Sequence, residues 1–377
     1  MNRKNIGLIF SYDEHWIGGT YYILNLVHAL NGLDDKTKPN LVIFSNPKDF
    51  DILSKDTQYP HLIFEYLSDN PQSKVLRLIN RISKKIIGKK FFMSRCKKEI
   101  DAVFPFRKFD YFRNVPLNKE IYWIPDFQEK HFPEFYSEKH LEFEKKKNSE
   151  IVYKTGKLLL SSKSALDDLK EFYPGFRTSP IVVHFAVKIP DLSNLPPDDM
   201  LSKYSLPSNY FFAPNQFWRH KNHLVLIKAV EFLRNKGTSV VVALSGKEHD
   251  YRAPDYTIML KKYVIDNNLS DNIIFLGFLD RQDQLKLMES CSAVIQPSLF
   301  EGWSTVIEEA MAMNKIVIAS DLKVNIEQLG DLGLYFERNT PSDLAIKIEE
   351  VLGGGISRLY DYKSKQIKFA NDFLNII

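Results

Sequence analysis

The feature that most constrains the fold is an alternation of short apolar runs with amphipathic helical segments, which occurs twice along the chain. In the first occurrence, the apolar run at 6–10 is followed by a glycine-bearing loop and by residues 22–30, whose apolar side chains recur at helical spacing. The second occurrence starts near residue 210. Strands that alternate with helices of this length form parallel sheets covered by helices on both faces. The sequence therefore predicts two doubly wound α/β domains.

A segment rich in proline separates the two occurrences. Residues 188–209 contain four prolines and little apolar periodicity, as is typical of a linker. In doubly wound domains, ligands bind outside the carboxyl ends of the strands, so a cleft between the domains is the expected site. The predicted units are a first Rossmann-like domain at 1–190, a linker at 191–209, a second Rossmann-like domain at 210–355, and a final helix at 356–377 that is a candidate for crossing back to the first domain.

Composition limits the cellular context. Lys and Arg number 51 and Asp and Glu 47, so the formal net charge of +4 gives no support for nucleic-acid binding. Two cysteines make neither a disulfide framework nor a zinc site, and they suit a reducing compartment. The apolar run at 6–10 is shorter than a signal peptide requires, and no stretch approaches the roughly 18 apolar residues of a transmembrane helix. We expect a cytoplasmic protein whose contact with a membrane would be peripheral.

The most informative stretch is 293–320, in which a strand leads through a short loop into a helix that begins near Thr305. A glycine loop before a helix N-terminus presents free N–H groups to a phosphate or pyrophosphate, here those of Gly302, Trp303, Ser304 and Thr305. Carboxylates beside such an anion site make sense if they accept hydrogen bonds from sugar hydroxyls, so we assign Glu301 and Glu309 to a nucleotide sugar. Glu308 has the capping-box spacing from Thr305 and is expected to close the helix end.

This stretch resembles the signature of the retaining glycosyltransferases of family 4, which have the GT-B fold. The residues that carry the resemblance are Pro297, Ser298, Glu301, Gly302, Glu309, Ala310, Met311 and Ala312. The chain departs from the family pattern at Trp303, where phenylalanine is usual, and at Ser304, where glycine is usual. The resemblance implies two Rossmann-like domains facing a cleft, a donor bound by the second domain, and transfer without a metal or an added cofactor.

A second segment, at 212–230, is similar to the part of the same family in which basic residues reach the donor diphosphate. Lys221 matches the family lysine, and Gln216 stands where the family arginine is usual. Arg219 could supply the second cation. An ordinary solvated helix start is the alternative for both basic residues.

Two further positions could contribute from the first domain. Gly18 and Gly19 lie between a predicted strand and helix, where glycine lets the backbone approach a ligand closely; a plain tight turn is as good an interpretation. Asp126 lies in a Trp-x-x-Asp-Phe-Gln segment that resembles one branch of the family. It could position the acceptor hydroxyl or act as its base, and a turn-capping aspartate is the alternative.

The segment at 74–98 is strongly basic and contains no acidic residue. Apolar residues interleave with its cations, a pattern that suits an anionic lipid surface. A solvated helix face packed on the first domain is an equally good interpretation, and the lipid-linked acceptors of many family members favour the membrane.

The resulting hypothesis is a retaining, metal-independent glycosyltransferase. It would move a hexose, with mannose as one candidate, from a GDP- or UDP-linked donor to a saccharide or lipid-linked saccharide in bacterial surface polysaccharide synthesis. The alternatives are a sugar-nucleotide epimerase on the same fold and a non-catalytic sugar-nucleotide-binding protein. Asp49 and Asp51 form a D-x-D sequence, a pattern that binds a metal ion in a different glycosyltransferase fold. In this chain the sequence is expected in a loop of the first domain, so no metal site is assigned.

Overall fold

The computed structural model describes residues 3–13, 17–66, 74–87, 98–106, 115–250 and 252–377. Its first domain is a parallel sheet covered by helices. The strands are β1 (Asn5–Ile9), β2 (Asn40–Ser45), β3 (Leu62–Tyr66), β4 (Ala102–Phe104), β5 (Ile121–Ile124), β6 (Lys157–Leu160) and β7 (Ser179–Val182). The helices are α1 (Ile17–Asn31), α2 (Pro47–Thr57), α3 (Lys74–Ile87), α4 (Gln128–His131), α5 (Glu138–Val152) and α6 (Lys163–Phe172).

The strand order of the first domain is β3-β2-β1-β4 followed by β5-β6-β7. All pairings are parallel, and a single parallel bridge from Val103 to Glu120 joins the two parts. The central strands are apolar and buried on both faces, as expected of a parallel sheet between helical layers. The carboxyl ends of β1, β4, β5 and β6 therefore lie along one edge, which places the segment after β5 at the mouth of the domain.

The second domain contains a parallel sheet in the order β10-β9-β8-β11-β12-β13. Its strands are β8 (Phe211–Pro214), β9 (Val242–Ser245), β10 (Ile273–Gly277), β11 (Ala293–Gln296), β12 (Val317–Ser320) and β13 (Leu334–Phe336). The helices in this part of the chain are α7 (Pro197–Lys203), α8 (His223–Asn235), α9 (Tyr256–Asp266), α10 (Arg281–Ser290), α11 (Thr305–Ala312), α12 (Lys323–Leu329), α13 (Pro341–Leu352) and α14 (Tyr362–Leu374). The order reverses direction between β8 and β11, and ligands of doubly wound sheets bind at such a switch point.

The segment predicted as a linker is partly helical and packed. Helix α7 lies within it, and both Lys203 and Tyr204 bond to Asp283 of α10, at 2.6 and 2.5 Å. The chain leaves the first domain earlier, through residues 183–187, all of which are buried except His184. Much of the proline-rich segment is therefore attached to the second domain.

The last helix, α14, packs on the first domain. The ring of Phe369 lies 5.7 Å from that of Tyr22 in α1, and the ring of Phe373 lies 5.2 Å from that of Phe104 in β4. Burial of these aromatic faces supplies the driving force for the crossing. The chain thus crosses between the domains twice, after β7 and before α14.

No helix in the described ranges is both long enough and apolar enough to cross a bilayer.

Candidate active site

The loops that follow β8 and β11 meet at the switch point of the second sheet. The two strands are neighbours and parallel, so their carboxyl ends lie side by side. The loop after β8 carries Lys221 at the end of a short 3-10 turn, and the loop after β11 carries Glu301. The strand order thus brings together two residues that are 80 positions apart in the sequence.

Lys221 and Glu301 form a buried ion pair. Lys221 Nζ lies 2.6 Å from Glu301 Oε1, and the two side chains are 14% and 9% exposed. The same oxygen accepts a hydrogen bond of 2.6 Å from the side-chain amide of Gln296, a buried residue at the end of β11. Charge-assisted hydrogen bonds of this length are strong and hold both groups in place.

Asp126 reaches this pair from the first domain. It follows β5, and its carboxylate accepts a 3.1 Å hydrogen bond from the Gln128 N–H. A Cβ atom on Gly302 would lie 2.7 Å from Asp126 Oδ2. Glycine is therefore required at 302 for the two domains to approach this closely. The three residues predicted to be catalytic, Asp126, Lys221 and Glu301, converge at this point from two domains.

The surroundings of Asp126 change its acidity. Burial raises the pKa of its carboxyl group, and the nearby negative charge of Glu301 raises it further. The hydrogen bond from the Gln128 N–H and the charge of Lys221 act in the opposite direction without cancelling the increase. A raised pKa brings a carboxylate closer to the range in which it can accept a proton near neutral pH.

Glu309 is almost fully buried, with 1% of its side chain exposed, and the sequence did not predict which cation pairs with it. Arg281, the first residue of α10, donates from Nη2 to Glu309 Oε1. The guanidinium also lies 5.1 Å from the ring centre of Tyr21 in α1, so it contacts both domains. The one available signal was position, because Arg281 follows β10 at the carboxyl edge of the sheet.

The start of α11 differs from the predicted capping box by one residue. Ser304, not Thr305, is the N-cap, and its hydroxyl accepts a 3.3 Å hydrogen bond from the Ile307 N–H. The predicted capping role of Glu308 is therefore wrong. The Glu308 carboxylate instead lies in the interior, where it accepts hydrogen bonds from Trp303 Nε1 at 3.0 Å, Gln328 Nε2 at 2.9 Å and Tyr362 Oη at 2.6 Å.

The loop residues Trp303 and Ser304 face the junction between the domains. The Trp303 indole stacks on His184 with ring centres 4.2 Å apart, and its N–H also donates to the Phe185 carbonyl at 3.2 Å. The Ser304 backbone N–H donates to Gln328 Oε1 at 3.1 Å. The backbone N–H of Ser304, one of the four predicted to meet a phosphate, is therefore bonded to the protein. The assignments of Gly302, Trp303 and Thr305 to the phosphate stay predictions.

The remaining candidates lie around the site in different settings. Arg219 is exposed. Burial raises the pKa of the Tyr256 hydroxyl in α9 to about 12, and the positive charge of Arg219 acts in the opposite direction. Gly18 and Gly19 are inside the first turn of α1, not in a loop before it. Among the described residues, no heavy atom lies within 4 Å of the point where a Cβ on Gly18 would stand, and Gly18 is exposed.

The D-x-D sequence of the first domain is helical, which corrects the expectation of a loop. Asp49 and Asp51 lie in α2, where Asp49 bonds to Asn46 at 2.7 Å and Asp51 to Lys55 at 2.8 Å. Across the described ranges, no three His, Cys, Asp or Glu residues form a group that could hold a metal ion. The two aspartates serve the helix and its N-cap.

Comparisons with known proteins agree with this architecture. Residues 203–367 match the family model described as Glycosyl transferases group 1. Anabaena HepE, solved in complex with UDP and glucose, superposes with a TM-score of 0.61 at 15% identity, covering 99% of this chain and 95% of HepE. The predicted α/β GT-B fold, with its parallel sheets, is confirmed.

Two curated relatives are named glycosyltransferases. The O-antigen chain mannosyltransferase RfbU of Salmonella typhimurium is 31% identical over 159 residues, which are 42% of this chain and 43% of RfbU. The N-acetylgalactosamine-N,N'-diacetylbacillosaminyl-diphospho-undecaprenol 4-alpha-N-acetylgalactosaminyltransferase of Campylobacter jejuni is 25% identical over 239 residues, 60% of this chain and 61% of that enzyme. The chain thus spans less than two thirds of the length of each of these relatives.

Proposed function

We propose that this chain is a retaining, metal-independent glycosyltransferase that moves a hexose from a nucleotide diphosphate sugar to a hydroxyl of a saccharide or lipid-linked saccharide. The observation that carries the proposal is the meeting of Asp126 with Lys221 and Glu301 beside Gly302 at the switch point of the second sheet. Mannose is the first sugar to test because RfbU is named a mannosyltransferase. The proposed setting is the synthesis of a bacterial surface polysaccharide.

The donor would lie along the carboxyl edge of the second sheet. Glu309 would accept hydrogen bonds from the ribose hydroxyls, and Glu301 from hydroxyls of the transferred sugar. Lys221 would hold the diphosphate. Its present partner is a single carboxylate, and a diphosphate of higher negative charge would compete for the ammonium group. Such a competition would release Glu301 to bind the sugar at the moment when the donor is in place.

Transfer requires that negative charge on the departing diphosphate be stabilised. The bond between the anomeric carbon and the diphosphate oxygen breaks, and a bond from the acceptor oxygen to that carbon forms on the same face, so the configuration is retained. The acceptor proton passes to the departing diphosphate oxygen. Lys221 and the N-terminus of α11 would stabilise the developing charge, and groups already oriented for this purpose lower the barrier most effectively.

Asp126 would orient the acceptor. It is the group that the first domain contributes to this point, and the first domain is the expected acceptor domain. Its carboxylate can accept a hydrogen bond from the acceptor hydroxyl and so orient the attacking oxygen. Asp126 is thus the proposed positioning group on the acceptor side, opposite Lys221 on the donor side.

The proposed acceptor also suggests a location. The Campylobacter jejuni relative is named for an acceptor linked to diphospho-undecaprenol. An acceptor of that kind would be met at the cytoplasmic face of a membrane, and we propose that the chain works there as a peripheral protein.

The decisive experiment has two stages. A thermal-shift screen of GDP-mannose and UDP-linked hexoses identifies the donor, because a ligand present at 100 times its Kd stabilises the folded state by about 2.7 kcal/mol. Transfer to saccharide and lipid-linked acceptors is then followed by release of the nucleotide diphosphate and by the mass of the product. Lys221→Met and Glu301→Gln should each lower kcat about a hundredfold or more.

The matched control is Lys261→Met. Lys261 forms an ion pair of the same 2.6 Å length with Glu248 in the same domain, but on α9 and more exposed. Its replacement should leave transfer unchanged. Near-normal turnover by both site variants would refute the assignment of the site. Conversion of the donor without an acceptor would identify an epimerase, and donor binding without any turnover would identify a binding protein.

A further inference from the structure

Helix α3 is the described part of the basic segment predicted at 74–98, of which residues 88–97 lie outside the described ranges, and it buries polar side chains while exposing apolar ones. Asn80 and Ser83 are 2% and 5% exposed, whereas Val75, Leu78 and Ile86 are 66%, 58% and 75% exposed. A helix packed on a domain normally buries its apolar stripe and exposes polar side chains. The arrangement in α3 is the reverse, so packing on the first domain does not account for its apolar residues.

Five of the six exposed apolar residues of α3 form one stripe, and Ile87, 58% exposed, lies outside it. They recur at spacings of three and four along the helix, which places them on a single face. The members are Val75, Leu78, Ile79, Ile82 and Ile86. All are aliphatic, and a contiguous exposed surface of this kind marks an interaction site.

Cations border the stripe on the side away from the buried residues Asn80 and Ser83. Arg77, Arg81, Lys84 and Lys85 are all exposed, and the helix contains no acidic residue. Long cationic side chains beside an aliphatic stripe can place their charges at the level of lipid headgroups while the stripe enters the acyl boundary. The helix therefore presents apolar and positively charged surface together.

We infer that α3 is the surface by which this chain docks, in plane, on a membrane that contains anionic lipids. The apolar stripe requires an apolar partner, and the uniform positive charge requires a negative one. An anionic bilayer supplies both within a few ångströms of depth. This inference goes beyond the proposed transfer reaction, because it concerns binding to lipid in the absence of donor and acceptor.

The same two features disfavour the other occupants. A nucleic acid would neutralise the cations but would leave five aliphatic side chains without an apolar partner. A second copy of the chain joined through this helix would bring two rows of like charges together, which is unfavourable. The combination of stripe and cations is satisfied by lipid alone among these three.

The test is co-sedimentation of the full chain with vesicles. One set of vesicles is phosphatidylcholine alone, and in the other part of it is replaced by phosphatidylglycerol. The chain should bind the anionic vesicles and show little binding to the neutral ones. The triple variant Arg81→Gln, Lys84→Gln, Lys85→Gln should bind the anionic vesicles about a hundredfold more weakly, because each cation near an anionic surface contributes independently.

A matched charge control removes three exposed lysines from another helix of the same domain, α5. Its substitutions are Lys139→Gln, Lys145→Gln and Lys146→Gln. The change in net charge is the same as in the α3 variant, so a general electrostatic effect would appear in both. Vesicle binding should stay within about threefold of the wild type in the control, because surface attraction falls off within a Debye length.

The apolar stripe is tested separately by Leu78→Ser, Ile82→Ser and Ile86→Ser, which should weaken vesicle binding about tenfold or more. The control is Ile258→Ser with Ile265→Ser, two residues of α9 that are 65% and 66% exposed. The residues substituted in both variants are on the surface, so the thermal unfolding midpoint of each variant should equal that of the wild type. The inference is refuted if the wild type ignores anionic vesicles, or if the α3 variants bind them as the controls do. It is also refuted if the stripe variant converts a dimer to a monomer, or if a nucleic acid binds where vesicles do not.

Discussion

Both carboxylates assigned to the nucleotide sugar hold a cation from another element of the second domain. Glu301 pairs with Lys221, and Glu309 pairs with Arg281. A buried carboxylate left without its cation strongly destabilises the fold, so each ion pair favours one position of its carboxylate. Glu309 is the more dependent of the two, because it is nearly inaccessible and Arg281 also contacts Tyr21 across the cleft.

Arg281→Gln should raise the KM for the donor about tenfold and change kcat much less. The physical reason is that Arg281 orients Glu309, the group proposed to bind the ribose, and lies away from the breaking bond. Arg281→Lys should recover only part of the loss, because lysine lacks the planar fork of the guanidinium. Steady-state kinetics with varied donor measures both constants.

Arg234→Gln provides the control, since Arg234 donates to the Asn267 carbonyl at 2.7 Å, on a different helix of the same domain. Its kinetic constants should match those of the wild type. An unchanged donor KM in Arg281→Gln would show that Glu309 is positioned without Arg281.

At the scale of single elements, the start of α11 decides how the site loop is held. The hydroxyl of Ser304 caps the helix, and the Ser304 N–H is bonded to Gln328, so this residue has a partner on either side. Glu308 does not cap the helix. It accepts a hydrogen bond from the Tyr362 hydroxyl of α14, and this bond connects α11 to the C-terminal helix. The one-residue difference from the predicted cap therefore changes what Glu308 does.

Ser304→Ala should lower the free energy of unfolding by about 1 kcal/mol, the usual effect of removing an N-cap hydroxyl. Thr305→Ala should have a smaller effect, because its hydroxyl is not the cap. Chemical denaturation of the two variants measures the difference. Equal losses, or a larger loss in Thr305→Ala, would restore the capping box that the sequence predicts.

At the scale of the whole molecule, a hydrogen-bonded contact centred on Glu327, here called the latch, joins the two domains. Glu327 of α12 accepts hydrogen bonds from the backbone N–H of Lys163 at 2.8 Å and from His184 Nε2 at 2.6 Å. Lys163 begins α6 of the first domain, so a carboxylate of one domain binds at a helix N-terminus of the other. Burial raises the pKa of Glu327, but the hydrogen bonds from His184 and Lys163 outweigh it and hold that pKa below its usual range.

Glu327→Ala should loosen the two domains and increase the radius of gyration in small-angle X-ray scattering at neutral pH. The matched control is Glu349→Ala, which removes a carboxylate from a surface pair with Lys236 and should leave the radius unchanged. An unchanged radius in Glu327→Ala would show that the remaining contacts suffice to hold the cleft.

The same latch predicts a pH dependence of known sign. A carboxyl group with a lowered pKa in the folded protein stabilises it above the ordinary value, here 4.5, and this contribution is lost as the pH falls through the lowered pKa. The stability difference between wild type and Glu327→Ala should therefore be largest near neutral pH and shrink in acid. A difference that grows in acid would contradict the latch.

How far the sequence sufficed can be judged from particular residues. The alternation of apolar runs predicted parallel sheets because a strand buried on both faces must be apolar throughout, and this information is local. The assignment of Glu301 and Lys221 to one site depended on a motif resemblance. Arg281 carried no comparable signal, because an arginine at the start of an amphipathic helix is ordinary until its neighbours are known.

The periodicity of the sequence by itself determined two α/β domains with parallel sheets, since strand and helix patterns act over a few residues. The GT-B architecture and the loops of the candidate site were implied by the resemblance to the family motif. Only the tertiary structure decided which groups meet across the cleft and which side chains stay exposed. Asp126 approaches Gly302, Arg281 joins Glu309 to Tyr21, and α3 exposes its apolar stripe. These contacts depend on how two domains and a crossing helix pack together, and packing between distant segments leaves no periodic trace in the chain.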